Sequence, residues 1–270
     1  MSKQREAKQS RKSFTAFRGA FKYEFHMQLR RPVLWIVLLL SELLMLGLMS
    51  RLVTLHDLLL SLRLTPPMLT VVIWTNSINY LLPAALGILI ADRLPRDKRT
   101  GVQELLTTLP GSQTARLFGK FLGSTLATLL PIFLFYCLGI AVILFLSRSL
   151  LVLPLALATF ATIVLPGVLF VGACATALPT LIWPPLYQFL FLGYWFWGNL
   201  YVPRNIPTIS TTILTPVGGY MSSGFFGYTL FPIAYASVFT GCMSLLLLLT
   251  LSILIILALG SYQNWQLQKL

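Results

Sequence analysis

Acidic side chains are scarce in this chain. Its 270 residues include only 7 Asp and Glu against 20 Lys and Arg, and charged residues make up 10% of the sequence. A water-soluble domain carries about 25% charged residues, so this composition excludes an ordinary soluble globular protein. Hydrophobic residues make up 57% of the chain, and a bundle of membrane-spanning helices is the class that tolerates such a composition.

Recognisable catalytic and metal-binding motifs are missing as well. No G-x-x-x-x-G-K-S/T sequence occurs, so the chain has no phosphate-cradling loop of its own. The two histidines, His26 and His56, belong to no H-E-x-x-H pattern, and no G-x-S-x-G sequence is present. The three cysteines, Cys137, Cys174 and Cys242, lie far apart in apolar runs, which is typical of small buried hydrophobic residues. We therefore expect no enzyme activity, no metal site and no cofactor in this chain.

The basic residues are concentrated in two parts of the chain. Nine of the 20 precede Pro32, and six lie between Asp92 and Lys120. Cytoplasmic segments of membrane proteins carry such an excess of Lys and Arg. The net charge of +13 therefore indicates cytoplasmic loops and attraction to membrane lipid rather than binding to nucleic acid. The pattern predicts a multi-pass protein of the cell membrane whose N- and C-termini are both cytoplasmic.

Residues 13–31 show helical periodicity after a polar, basic tail. Large apolar residues recur there at three- and four-residue spacing: Phe14, Phe17, Phe21, Phe25 and Leu29. Residues with this spacing share one face of a helix. Residues 1–31 are therefore predicted to form a cytoplasmic tail and an amphipathic helix that lies on the inner membrane surface. A helix packed on protein is the alternative interpretation of the same pattern.

Six apolar runs predict six membrane spans. Their approximate bounds are 33–50, 68–91, 118–146, 154–178, 186–202 and 237–260. A cytoplasmic loop over 92–117 separates the second span from the third. The outer segment 203–232 is rich in Thr, Ser, Gly and Pro, and we expect it to be re-entrant. The predicted fold class is all-α, with residues 32–270 forming one polytopic transmembrane domain.

Few polar residues interrupt the predicted spans. Glu42 lies in the middle of the first span, where a charge costs about 3 kcal/mol on insertion scales. It should therefore face other helices, be protonated or line a polar path, and a hydrogen-bonded structural carboxyl is the alternative. Asn76 and Asn79 add polarity to the second span. These three residues are the candidate path residues of a transporter or channel that works without ATP.

The charged segment 92–120 is the most distinctive part of the sequence. From Gly101 to Pro110 it reads GVQELLTTLP. Leu105, Leu106 and Leu109 share one helical face that suits docking in a groove. Gly101 permits a tight turn before such a helix, and Glu104 can cap its N-terminus or pair with a basic partner. A solvated loop that only obeys the charge rule for membrane proteins is the alternative.

This segment resembles the cytoplasmic loop of type-2 ABC exporter permeases. The family pattern has acidic and basic residues, then Gly-Thr-x-Glu-Leu-Leu, then a small residue with Pro, and finally Gly-Lys before the third span. Val102 stands where Thr is common, and Leu109 stands where Ser or Ala is common. The end of the first helix, 30–32, is also similar to the family. The resemblance covers the architecture of the whole chain, but as a motif it covers only 24–32 and 92–122.

The resemblance implies that the chain is the permease subunit of an ATP-driven exporter. The implied partners are a separate ABC ATPase subunit, which holds the ATP and magnesium, and a second permease copy or a homologous permease. A coupling helix would sit in a groove of the ATPase and would include Gly101, Val102, Glu104, Leu105, Leu106 and Leu109. The amphipathic helix would contact the ATPase too. An ATP-independent transporter or channel and a membrane scaffold protein are the alternatives.

Overall fold

The computed structural model describes residues 2–52, 66–101, 111–200, 208–228 and 236–268. Every regular element in these ranges is helical, and no strand occurs in them. The prediction of an all-α protein is therefore confirmed for the described part of the chain.

The helices are numbered here in chain order. The first half contains α1 (Ser2–Leu29), α2 (Pro32–Leu52), α3 (Pro67–Ala91), α4 (Arg93–Arg99) and α5 (Gln113–Ser147). The second half contains α6 (Val152–Thr159), α7 (Leu165–Ala177), α8 (Pro184–Tyr194), α9 (Gly219–Phe226) and α10 (Val238–Leu267). A π-helical turn, Phe160–Val164, joins α6 to α7, and a second one, Trp195–Leu200, extends α8.

Four helical runs are long and apolar enough to cross a membrane. They are Pro67–Arg99, Gln113–Ser147, Val152–Thr180 and Val238–Gln266, and a shorter apolar run, Pro32–Leu44, lies in α2. These runs support the prediction of a membrane protein. The count of six spans, the orientation of the termini and the kind of membrane remain predictions from the sequence.

The region predicted as a cytoplasmic loop contains more helix than the sequence suggested. Helix α4 occupies its first part, and α5 begins at Gln113 rather than near Phe118. The earlier start of α5 has a local cause, because the Ser112 hydroxyl accepts a hydrogen bond from the backbone nitrogen of Ala115 at 3.4 Å. This is an N-cap, which satisfies one of the free amide groups at a helix start. With 35 residues, α5 is about 53 Å long.

Helix α3 lies at the centre of the bundle. It contacts α2, α5, α6, α7, α8 and α9. Side chains such as Val71, Val72 and Ala84 are buried on different sides of it. Helices α5 and α10 instead present wide apolar faces outward, as the exposed Phe145 and Leu246 illustrate. A centre that is buried all round and a rim that is apolar toward the outside suit a lipid environment.

Helix α1 packs along the first half of α5, and the two helices run in the same direction. A Cβ atom on Gly119 would lie 2.5 Å from the backbone oxygen of Phe17, and one on Gly123 would lie 2.7 Å from that of Phe21. Farther along both helices, Gln28 Nε2 donates to Thr128 Oγ1 at 3.3 Å. Two glycines four residues apart therefore let the helix backbones approach closely, as small residues do in membrane bundles.

The described part of the outer segment, 208–228, packs against the helix bundle. Asn79 Nδ2, on α3, lies 2.8 Å from the backbone oxygen of Val217, 3.2 Å from that of Pro216 and 3.4 Å from that of Ile163. One buried amide therefore holds together the central helix, the π-helical turn after α6 and the outer segment. Ser244 Oγ adds a link from α10, because it donates to the backbone oxygen of Ile213 at 2.7 Å.

Candidate functional site

The candidate site lies where α1, α4 and the beginning of α5 meet. Along the chain, α4 and α5 flank residues 102–110, here called the motif segment, which hold most of the distinctive motif. Helix α4 continues from the central helix α3 with only Asp92 between them, and α5 is the next membrane-spanning candidate. The two helices that flank the motif segment are therefore directly connected to the membrane bundle.

An ion pair connects α1 to α4 inside this site. Arg93 Nη2 lies 3.5 Å from Glu24 Oε2, and the side chains are only 7% and 3% exposed. Glu24 Oε2 and the Nε and Nη2 atoms of Arg93 have no hydrogen-bond partner in the described part of the chain. Burial raises the pKa of the Glu24 carboxyl, while the positive charges of Arg93 and Lys120 oppose that shift. The pair is held in place by packing and charge rather than by directed hydrogen bonds.

A second ion pair connects α4 to α5. Lys120 Nζ contacts Asp97 Oδ2, and both side chains are mostly buried. Helix α4 has only seven residues, so its own backbone hydrogen bonds cannot fix its position. The contacts to Glu24 on one side and to Lys120 on the other hold it against α1 and α5.

Glycines with left-handed backbone angles stand at both ends of the motif segment. Gly101 has φ 71° and Gly111 has φ 129°, values that other residues adopt only at a cost. A Cβ atom on Gly101 would meet no atom within 4 Å, so only the backbone angle requires glycine there. A Cβ atom on Gly111 would lie 2.8 Å from the Cβ of Ala16, so α1 adds a steric reason at that end.

The predicted coupling helix itself lies almost entirely outside the described residues. Of its six predicted residues only Gly101 is described, at the end of α4. The other five lie in 102–110: Val102, Glu104, Leu105, Leu106 and Leu109. Their helical conformation and their role remain predictions.

A cavity of about 550 Å³ opens between α1, α4 and α5. Its charged lining consists of Glu24, Arg31, Arg93, Arg96, Asp97, Arg116 and Lys120. Small residues of α1, Ala16, Gly19 and Ala20, line the same space. The cavity is therefore bounded by both ion pairs and by several further basic side chains.

The phenylalanines of α1 form a ladder beside the face that contacts α5. Ring centroids of Phe14 and Phe17 are 6.5 Å apart, those of Phe17 and Phe21 are 6.2 Å apart, and those of Phe21 and Phe25 are 5.8 Å apart. Phe14 is exposed, and the next three rings and Leu29 are half-buried. The structure places α1 on protein along its neighbouring face, and contact of this aromatic ladder with the membrane surface remains a prediction.

The three candidate path residues have distinct surroundings. Glu42 continues the buried stripe of Leu34 and Leu38 on α2, and its Oε1 atom has no hydrogen-bond partner among the described residues. Asn76 Nδ2 donates to the backbone oxygen of Val72 at 2.9 Å, within its own helix. Asn79 holds the outer segment, as described above. Glu42 thus faces the other helices, the Asn76 amide bonds within its own helix and the Asn79 amide joins different elements, while a role of the three in a path remains a prediction.

Two features of the site escaped the sequence reasoning. Glu24 was not singled out, although it is one of only two acidic residues before Pro32 and lies off the phenylalanine stripe. The pair Gly119 and Gly123 has the four-residue spacing of a close helix contact. Either signal could have pointed to the packing of α1 on α5.

A scan of the chain against models of protein families returned no match, and a search of curated proteins returned none either.

Proposed function

We propose that this chain is the membrane-spanning permease subunit of an ATP-driven ABC exporter of the type-2 class. Separate ATPase subunits, which bind ATP and magnesium, would supply the energy. The motif of segment 92–122 supports this assignment, because it combines the family's charged run, its Gly-x-x-Glu-Leu-Leu core and its Gly-Lys pair. In the proposed arrangement six spans cross the cell membrane, both termini are cytoplasmic, and the chain pairs with a second permease.

The observation that carries the proposal is how the two ends of the motif segment are held. Helix α4, before the segment, is bound to α1 through the ion pair of Arg93 and Glu24 and to α5 through that of Asp97 and Lys120. Gly111, after the segment, packs against α1. A force on residues 102–110 would therefore be transmitted to α1, α4 and α5 together.

The mechanical connection leads straight to the centre of the bundle. Helix α4 is separated from α3 by a single residue, and α3 contacts α2, α5, α6, α7, α8 and α9. When ATP binding brings the ATPase subunits together, the motif segment would move with them. The chain connection at Asp92 would pass that movement to α3, the ion pair of Asp97 and Lys120 would pass it to α5, and the spans would rearrange to release substrate outward. This is a rigid-body form of coupling, in which packed helices shift as units.

The test is isolation of the complex from the native host. We expect an affinity-tagged chain, extracted in mild detergent, to bring down a soluble ATPase in a fixed ratio, identified by mass spectrometry. The matched variant is Leu105→Asp, which puts a charge on the predicted docking face and should abolish co-purification without changing membrane insertion. Wild-type preparations that never contain an ATPase, with or without crosslinking, would contradict the proposal.

Liposomes containing only the purified chain distinguish the alternative of an ATP-independent transporter or channel. Under the proposal these liposomes do not transport substrate unless the ATPase and ATP are added. Transport by the chain alone would instead favour a path through Glu42, Asn76 and Asn79. A scaffold protein would leave the cellular phenotype unchanged when Gly101 or Glu104 is substituted.

A further inference from the structure

The cavity between α1, α4 and α5 has an unbalanced charge. Five basic side chains and two acidic ones line its volume of about 550 Å³. Both carboxylates already have a cationic partner, Glu24 in Arg93 and Asp97 in Lys120. Beyond these two ion pairs, Arg31 and Arg96 add positive charge to the described lining of a partly enclosed space, where electrostatic interactions are stronger than in water.

Arg31 and Arg96 are the basic residues that make this space unusual. They lie in different parts of the chain, Arg31 directly before α2 and Arg96 in α4. Among the described residues, no carboxylate lies within 4.0 Å of either guanidinium. Burial lowers the pKa of Arg31, and repulsion from Arg96 lowers it further, against the attraction of Glu24, Asp92 and Asp97. Two guanidinium groups thus face a common space and repel each other across it.

Arg93 provides a second, independent observation in the wall of the same cavity. Its side chain is only 7% exposed, and its Nε and Nη2 atoms donate no hydrogen bond to any described residue. Buried donors without an acceptor are costly, and a buried charge makes the cost larger. An anion in the cavity would supply acceptor oxygens close to this group.

We propose that the cavity bounded by α1, α4 and α5 binds a phosphate group between Arg31 and Arg96, with Arg93 in its wall. Guanidinium groups match phosphate oxygens with paired, charge-assisted hydrogen bonds. A bound phosphate would turn the repulsion between Arg31 and Arg96 into a bridge that joins the start of α2 to α4. The group can come from the headgroup of an anionic phospholipid or from a free phosphate in solution. This inference does not rest on the proposed transport function.

The test measures binding to the full chain, delipidated and purified in an uncharged detergent. One arm uses dioctanoyl phosphatidic acid, with dioctanoyl phosphatidylcholine as a control that has the same acyl chains but no net charge. The other arm uses inorganic pyrophosphate, which has no acyl chain. Native mass spectrometry counts the bound molecules, and microscale thermophoresis gives the affinities.

The chain offers a matched pair of variants in α4. Arg96→Ala removes a charge that lines the cavity, whereas Lys98→Ala removes another exposed charge of the same helix that lies outside the lining. Both side chains are on the surface, so neither variant is expected to disturb folding. We expect Arg96→Ala to weaken anion binding about tenfold, the size of one charge-assisted hydrogen bond, and Lys98→Ala to leave it unchanged. Arg31→Gln should act like Arg96→Ala.

The outcomes separate the two sources and can overturn the site. Tight binding of phosphatidic acid alone identifies a lipid headgroup, and binding of pyrophosphate, or its competition with the lipid, identifies a free phosphate. An equal loss of anion affinity in Arg96→Ala and Lys98→Ala would show that the anions respond only to diffuse surface charge, and it would overturn the proposal. Binding of neither probe, or equal affinity for phosphatidylcholine and phosphatidic acid, would overturn it as well.

Discussion

Arg93 Nη2 and Glu24 Oε2 lie 3.5 Å apart and join two helices that are remote in sequence. The pair connects α1 to α4, the short helix that follows the buried central helix α3. Because a buried charge is tolerated only beside an opposite charge, this contact specifies where α1 must lie.

Removal of one member of the buried ion pair should destabilise the protein. We expect Arg93→Leu to cost about 3 kcal/mol, because it leaves the Glu24 carboxyl buried without its counter-charge. The double variant Glu24→Leu with Arg93→Leu should recover most of that loss. Thermal unfolding in detergent, followed by tryptophan fluorescence, measures both effects. Strictly additive losses in the double variant would show that the two side chains do not interact.

The pH dependence of stability should reveal the titration of Glu24. Burial raises the pKa of this carboxyl above its ordinary value of 4.5. A raised pKa in the folded state means that its contribution to stability is complete below pH 4.5 and is lost as pH rises through the raised value. Glu24→Gln mimics the protonated form and should lack this dependence.

Thermal midpoints of both forms, measured from pH 4 to 9, test this sign. The wild type should lose stability relative to Glu24→Gln as the pH increases. If the thermal midpoint of the wild type instead rises relative to that of Glu24→Gln over this range, the surrounding cations dominate and the pKa of the Glu24 carboxyl is lowered.

Close packing of α1 on α5 should make Gly119 intolerant of any side chain. A Cβ atom there would lie 2.5 Å from the backbone oxygen of Phe17, whereas a Cβ atom on Gly19 would meet nothing within 4 Å. We expect Gly119→Ala to cost about 1–3 kcal/mol through overpacking and Gly19→Ala to be neutral or slightly stabilising. Limited proteolysis of α1 provides the readout, and equal cleavage rates in the two variants would contradict the packing.

The amide of Asn79 should matter more than that of Asn76. Asn79 Nδ2 donates to three backbone oxygens on other elements, whereas Asn76 Nδ2 donates to one oxygen of its own helix. At about 0.6 kcal/mol for each hydrogen bond inside a membrane bundle, Asn79→Ala should cost about 2 kcal/mol and Asn76→Ala about a third of that. The midpoints of thermal unfolding of the two variants measure this difference. If Asn76→Ala is the more damaging, Asn79 does not hold the outer segment in this way.

The proposed coupling role predicts loss of transport without loss of insertion. Gly101→Pro is incompatible with φ 71° at that residue, since proline fixes φ near −65°. We expect it to uncouple ATP hydrolysis from transport, and Leu105→Asp should do the same by disrupting the predicted apolar face. Gly101→Asn is the matched control, because asparagine tolerates left-handed angles best after glycine. Coupled transport that persists in both Gly101→Pro and Leu105→Asp would refute the role.

The apolar runs of the sequence were sufficient to predict the structural class of the protein. Such runs can be buried only in helices whose backbone groups bond internally, so an all-α membrane protein followed from composition and periodicity alone. Local chemistry also indicated a tight turn at Gly101, and the structure gives that residue a φ of 71°. These are properties of single residues and their nearest neighbours, which a sequence displays directly.

The partners of the polar residues were decided by tertiary structure. The sequence suggested Asn79 as a path residue, yet its bonds reach carbonyls 84 to 138 positions away. It left open whether α1 lies on the membrane surface or packs on protein, and Gly119 and Gly123 bring one face of α1 onto α5. In the sequence, Arg31 belongs to the basic residues before Pro32, whereas Arg93 and Arg96 belong to the charged segment 92–120. Three-dimensional packing gathers them around one cavity, because the distance between charges depends on the fold and not on their order in the chain.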